Sequence, residues 1–326
     1  MTRIIVTGAS GVLGSAVFSA FTAPPSQYTV LGLSHTSSAP GLTPLDLLDK
    51  AAVERAWKDF APDWVVHCAA ERRPDVAERD PAGAERLNAG VPAHLAALAS
   101  QLHHRLISIS TDYVFPGTHP PYTPSSEPRP LNLYGRTKHL AEQALAPYPG
   151  IASAVRVPVL YGPVKTPSDS AINVLEEVVR DQSGRVYGMD DWQVRYPTNV
   201  LDVAAFLVRL VELQKPLPPI IHFTAPAAYS KYTLSLAFGR LLSLPTAHIR
   251  PEKPDESAPP PPGGAQRPRD CRLSMRETDA LFGLVEGEGE PAEGRSWQGV
   301  EVVKWFEGWF REEEARKNAL VQAQAA

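Results

Sequence analysis

The sequence predicts an α/β protein: a doubly wound parallel sheet with a smaller C-terminal lobe. Three observations carry that prediction. Short β-branched runs alternate with helical stretches from residue 3 to residue 157, which calls for parallel strands covered on both faces. A glycine-rich turn joins the first strand to the first helix. The alternation then loosens after about residue 158, where a second lobe begins. The chain of 326 residues is 43 % hydrophobic and 21 % charged, enough apolar surface for a real core.

The elements follow in order. Residues 3–7 (RIIVT) form the first strand and Val12–Phe21 the first helix. Tyr28–Leu33 is the second strand. Asp49 caps a helix over about 50–60, whose apolar stripe is Val53, Ala56, Trp57 and Phe60. Trp64–Cys68 is the third strand. Residues 82–102 are helical, interrupted at Gly90 and Pro92. Arg105–Ile109 is the fourth strand, Leu133–Leu145 a helix and Ala152–Val157 the fifth strand. Beyond these, 171–180, 202–213 and 230–242 read as helices and Ile220–Phe223 as a strand. Residues 1–158 with 202–223 would make the nucleotide-binding domain, and 159–201 with 224–300 the smaller substrate-binding lobe. Residues 254–264 (PDESAPPPPGG) read as a loop or disordered insertion, and 311–326 as a solvated helical tail.

Composition narrows the function. Proline is in excess: 33 residues, about twice the typical 5 %, which excludes a long bundle or coiled coil. A net charge of −4 argues against nucleic acid as the main partner. Cys68 and Cys271 cannot make a disulfide framework or a zinc site, and read as reduced thiols of a cytoplasmic protein. No signal-peptide stretch or membrane span is expected, and no metal.

Two motifs carry chemistry. Thr7-Gly8-Ala9-Ser10-Gly11-Val12-Leu13-Gly14 is G-x-x-G-x-x-G between a strand and a helix. There, glycine lets the backbone turn sharply and its N–H groups approach a pyrophosphate. The reading is a Rossmann-like dinucleotide site. At the end of the second strand stand Leu33-Ser34-His35-Thr36-Ser37, with no carboxylate to repel a 2′-phosphate, so NADP is favoured over NAD. Asp46 and Leu47 follow, near an adenine or simply in a loop. The second motif is Tyr134-Gly-Arg-Thr-Lys138, whose tyrosine and lysine share a helical face. A nearby ammonium would favour the phenolate of Tyr134. A hydroxyl from Ser110 or Thr111 could hold a substrate oxygen, so the set could relay a proton beside a hydride-carrying cofactor. Tyr161 and Lys165 repeat the spacing, but Pro163 disfavours a continuous helix there, and the match reads as a decoy.

The glycine turn, STDYVF at 110–115 and YGRTK at 134–138 resemble the extended short-chain dehydrogenase/reductases, and within them the dTDP-4-dehydrorhamnose reductases. That resemblance puts a reactive triad on Thr111, Tyr134 and Lys138. Longer segments are similar to the regulatory β subunits of methionine adenosyltransferase: His67–Val76 (HCAAERRPDV), Leu131–Gly135, Asp191–Thr198 (DWQVRYPT) and Gly264–Arg269 (GAQRPR). This resemblance covers residues 3 to about 284. It implies a dehydrogenase fold that binds NADP and partners the catalytic subunit of methionine adenosyltransferase.

Carried onto this chain, the cofactor-binding set is Gly8, Ser10, Gly11, Val12, Leu13, Gly14, His35, Asp46, Leu47, Cys68, Ala69, Ala70, Arg72, Tyr134, Lys138 and Pro158. The substrate or partner cleft holds Trp192, Gln193, Arg195, Gln266 and Arg267. Glu71, Arg72 and Arg73 are either anion-binding or a solvated loop, Trp192 is either cleft or core, and Gln266, Arg267 and Arg269 either touch a substrate phosphate or close the lobe. Two functions follow. One is an NADP-binding, non-catalytic regulatory subunit supporting S-adenosylmethionine synthesis, which is preferred. The other is an NADPH-dependent reductase of a nucleotide-activated 4-keto sugar, kept open by the intact triad.

Overall fold

The computed structural model describes residues 1–36, 39–254, 262–284 and 299–325. Residues 255–261 of the proline-rich insertion lie outside the described residues. In chain order the elements begin with β1 (Thr2–Thr7), α1 (Val12–Thr22), β2 (Tyr28–Ser34), β3 (Leu42–Pro44), α2 (Lys50–Phe60) and β4 (Trp64–His67). There follow α3 (Pro74–Arg79), α4 (Pro81–Glu85), α5 (Val91–Gln101), β5 (Arg105–Thr111), α6 (Leu133–Leu145) and β6 (Ala152–Val157). Next come β7 (Leu160–Tyr161), α7 (Leu175–Arg180), β8 (Tyr187–Asp190), β9 (Thr198–Asn199), α8 (Val200–Glu212) and β10 (Ile220–His222). The chain closes with α9 (Lys231–Leu242), β11 (Ile249–Glu252), α10 (Arg276–Leu281) and α11 (Val302–Ala325).

Seven strands form one sheet in the order β10-β6-β5-β4-β1-β2-β3, and every pairing in it is parallel. The order reverses between β1 and β4. In a doubly wound sheet, that switch opens a crevice at the carboxyl ends of the strands. One face of the sheet packs on α1 and α8, with Val17, Phe21, Phe206 and Leu207 fully covered. The other packs on α2 and α5 through Val53, Trp57, Leu95 and Ala99. A separate core gathers Tyr161, Leu175, Val179, Leu234, Phe238 and Ile249 around Val302, Phe306 and Phe310.

Local rules explain the elements that the sequence predicts. The Asp49 carboxylate accepts the Ala52 N–H at 3.0 Å and starts α2. The expected break at Gly90 and Pro92 is instead a π-turn, Arg86–Gly90, inside an otherwise continuous helical run from Pro81 to Gln101. Pro92, which has no N–H to donate, stands directly after the π-turn, at the second residue of α5. The π-turn also turns Asn88 toward the loop after β4, where it accepts from Glu71 N–H at 2.9 Å and donates to Glu71 O at 3.0 Å.

Two expectations change. Helix formation over 171–180 is confined to Leu175–Arg180. The helix that carries the tail starts at Val302 rather than 311; the described side chains from Arg311 to Arg316 are mostly exposed, while its first turns are anchored in the third core. Their apolar spacing, Val302, Phe306 and Phe310, is the helical repeat that favours burial of one face. The two- to four-residue strands β3, β7, β8, β9 and β11 carry too little periodicity to be read from sequence.

Candidate functional site

A cleft of about 550 Å³ opens at the carboxyl ends of the central strands. Its floor is the glycine-rich turn. Gly8 has φ +65°, a left-handed conformation that a side chain would strain, and a Cβ placed there would come 2.8 Å from Ala69 N. A Cβ on Gly14 would lie 2.1 Å from the Gly8 carbonyl oxygen. The turn is therefore drawn tight on itself and on β4. Gly11 stands at the N-cap of α1 with no side chain to satisfy the helix's first amides, which are left to face the cleft. A cradle that only glycine can line, with open amides at a helix N-terminus, fits a pyrophosphate.

The far rim carries the expected reactive groups. Asn132 caps α6, accepting the Gly135 N–H at 2.8 Å, and its amide also donates to the Gln266 carbonyl at 2.8 Å. Replacing Asn132 by alanine strips both bonds from a fully buried residue; we expect a loss of about 1–3 kcal/mol in urea unfolding, and a change near zero would show that water replaces them. So capped, α6 places Tyr134 and Lys138 on the cleft, with the Tyr134 phenol beside Thr111 at the end of β5.

Electrostatics differ from the sequence expectation. Burial raises the Tyr134 pKa above that of a free phenol, and Lys138 is not among the main influences on it. The phenol stays protonated, a donor rather than a phenolate. Lys138, 3 % exposed, is pushed down to about 8 by burial, opposed by the Glu142 carboxylate one turn along α6. Burial likewise pushes Cys68 up to about 12, an inert thiol, and lifts Asp112 to about 7 against the pull of Arg195. This set can give a proton to a ligand oxygen held beside Thr111 and Tyr134.

Beneath the triad lies a buried ion pair. The Arg156 guanidinium donates to both Glu142 oxygens at 2.8 Å, Ser110 Oγ donates to the same carboxylate at 2.5 Å, and the guanidinium stacks over Phe115. These bonds hold the Glu142 carboxyl down to about 2 despite burial.

All sixteen residues named for the cofactor line this one cleft, as do Thr111, Gln193, Arg195 and Arg267. Trp192 and Gln266 do not. The Trp192 ring lies under the Arg269 guanidinium, 5.8 Å from its centre, and Gln266 contributes its backbone carbonyl to Asn132. The side chain of Asp46 is turned to the Leu48 N–H at 2.9 Å, a turn contact. Arg73 pairs with Glu71 at 2.9 Å in an exposed loop. The decoy tyrosine, Tyr161, packs on Trp305 and Phe306 and donates to Val300 O at 3.0 Å. Sequence reasoning assigned nothing to Asp112, Tyr113 and Lys231, which also line the cleft. The first two were visible beside Thr111; Lys231 begins α9, far along the chain, and nothing local marks it.

A family model described as the RmlD substrate binding domain matches residues 1–292. Methionine adenosyltransferase 2 subunit beta of Rattus norvegicus is 39 % identical over 282 residues, 86 % of this chain and 82 % of the relative. A dTDP-4-keto-6-deoxy-D-glucose reductase of Streptomyces niveus is 32 % identical over 270 residues, 82 % of this chain and 86 % of that one. Among solved structures, the dTDP-4-dehydrorhamnose reductase of Bacillus anthracis in complex with NADP superposes with a TM-score of 0.77 at 22 % identity, covering 96 % of this chain and 99 % of the other. At that identity the likeness shows the fold. No helix among the described residues is long and apolar enough to cross a membrane.

Proposed function

The chain belongs to the RmlD substrate binding domain family and, within it, to the family of methionine adenosyltransferase β subunits; on that premise we propose that it is a non-catalytic regulatory subunit, which binds NADP and a catalytic methionine adenosyltransferase subunit and so supports S-adenosylmethionine synthesis. One observation carries the reading. The 39 % identity to the β subunit runs across most of both chains, above the 32 % to the sugar reductase. The segments that matched the β subunits in sequence also meet in space. Asp75 of ERRPDV pairs with Arg267 of GAQRPR at 2.5 Å and accepts the Ala265 N–H at 2.9 Å.

The cofactor would lie with its pyrophosphate on Gly8–Gly14 and its nicotinamide end toward Tyr134, Lys138 and Pro158. In the regulatory reading it is bound without turnover; only in the reductase reading below would it supply a hydride. NADP is preferred to NAD because Ser34 and His35 end β2 without a carboxylate. The two free thiols suit a cytoplasmic protein. We also read residues 1–158 with 202–223 as the dinucleotide domain, and 159–201 with 224–300 as a smaller substrate-binding lobe over the carboxyl ends of its strands.

The purified chain is expected to co-elute with the organism's methionine adenosyltransferase and to change its kinetics; failure on both counts overturns the reading. Thermal shift should be larger with NADPH than with NADH, and equal shifts would refute the preference. Thr111, Tyr134 and Lys138 meeting at one cleft favour a second reading, an NADPH-dependent reductase of a dTDP-4-keto sugar. It predicts NADPH oxidation that Tyr134→Phe abolishes.

A further inference from the structure

His67 ends β4 in the middle of the sheet, in register with Thr7 of β1 on one side and Ser108 of β5 on the other. Two residues earlier, Ile5, Val65 and Leu106 face the core under α2 and α5, which Leu145 of α6 also joins. Side chains two apart share a face, so the three polar groups lie on that same side. His67 is 1 % exposed. Its Nδ1 is 2.8 Å from Thr7 Oγ1, and its Nε2 has no hydrogen-bond partner among the described residues. Neither the Lys138 ammonium, 3 % exposed, nor the Ser108 hydroxyl donates a hydrogen bond to a described residue.

Burial first, and then the charge of Lys138, push the His67 imidazole down to about 3, so the ring is neutral. A neutral imidazole carries one proton. Beside an ammonium, the favoured tautomer keeps that proton on Nδ1, donated to Thr7 Oγ1, and turns the Nε2 lone pair to the cation. The opposite tautomer would aim an N–H at it. A buried acceptor, an ammonium and a hydroxyl without protein partners are the polar set that holds one enclosed water. The other titratable groups around Lys138 are Glu142 and Tyr134 on α6, Cys68 after β4 and Asp112 after β5. Arg156 of β6 is already paired with Glu142.

We propose that His67 is a positioning residue for Lys138: fixed by Thr7 in the Nδ1–H tautomer, it receives a hydrogen bond from the Lys138 ammonium through one enclosed water, and so aims that charge at the dinucleotide. Thr7 immediately precedes Gly8, so the same chain of bonds ties the nicotinamide end of the site to the pyrophosphate cradle. A neutral acceptor holds the ammonium without cancelling its charge, which a carboxylate in its place would do. The proposal rests on the dinucleotide reading of the cleft.

The first test is nitrogen-15 NMR on the full chain with labelled histidine, where long-range proton–nitrogen correlation reads each imidazole's tautomer. The His67 signal is the one lost in His67→Gln. It should stay in the neutral Nδ1–H form from about pH 5 to about pH 9, and Lys138→Met should move its Nε2 resonance. An Nε2–H tautomer, an imidazolium in that range, or an Nε2 resonance indifferent to Lys138→Met overturns the proposal. The second test is NADPH affinity against pH. It should fall above about pH 8 as Lys138 loses its proton. His67→Leu should move that fall at least about half a pH unit lower, roughly a threefold loss of affinity above it, and His67→Gln, whose amide keeps an acceptor, should restore it. An unmoved profile in folded His67→Leu protein overturns the proposal. If the wild type fails to bind NADPH, the dinucleotide reading fails, and the NMR result still decides whether His67 receives Lys138.

Discussion

Gly14→Ala is expected to remove most of the NADPH affinity, because the added methyl would sit 2.1 Å from Gly8 O and 2.6 Å from Gly8 C. Both are backbone atoms, so no rotamer relieves the clash. Either the first turn of α1 moves away from the loop, or the loop opens and its amides leave the pyrophosphate. Overpacking of this kind costs about 1–3 kcal/mol or more, a factor of roughly five to a hundred and fifty if it falls on binding. Fluorescence titration with NADPH measures it, and far-ultraviolet circular dichroism shows whether the fold survives. A folded Gly14→Ala protein with wild-type affinity would mean that the cradle is not the phosphate site.

Removing the Glu142 carboxylate is expected to have the largest effect on stability. Glu142→Gln leaves the Arg156 guanidinium, 2 % exposed, without its anion, and breaking one side of a buried pair costs about 3–5 kcal/mol. The double variant Glu142→Gln/Arg156→Met should recover much of that loss, since no charge is left stranded. Equal destabilisation in the single and double variants would show that packing, not charge, sets the cost.

The same pair makes a pH prediction. The folded carboxyl is held at about 2, below its ordinary 4.5, so the stability it contributes is present above about pH 4.5 and lost as pH falls toward 2. The shift is worth roughly 3 kcal/mol by linkage. Urea midpoints at pH 6 and pH 3 should therefore differ more in the wild type than in the double variant. An unchanged pH dependence would detach Glu142 from acid unfolding.

The local signals in the chain marked most of the residues that line the cleft. Strand–glycine turn–helix and a hydroxyl at the end of β5 are relations between near neighbours, and periodicity and steric rules act at that range. The Asp49 cap and the i, i+4 spacing of Tyr134 and Lys138 belong to the same class. The short strands β8 and β11 were not legible, because each forms only by pairing with a partner about 60 residues away. Nor was the anchoring of α11, which depends on Phe238 and Tyr161 meeting Phe306.

Sequence by itself determined the α/β class, the glycine cradle and which residues could carry proton chemistry. Only the tertiary structure decided their ionisation, and it reversed one expectation: Tyr134 is kept a phenol by burial, while the charge of Lys138 is answered by Glu142 from within its own helix. The tertiary structure alone also brought Lys231 to Arg195 and Arg267 and left Trp192 and Gln266 off the cleft. The physical reason is the same in each case. Desolvation and long-range charge depend on what the whole fold excludes from water, and no window of neighbouring residues records that.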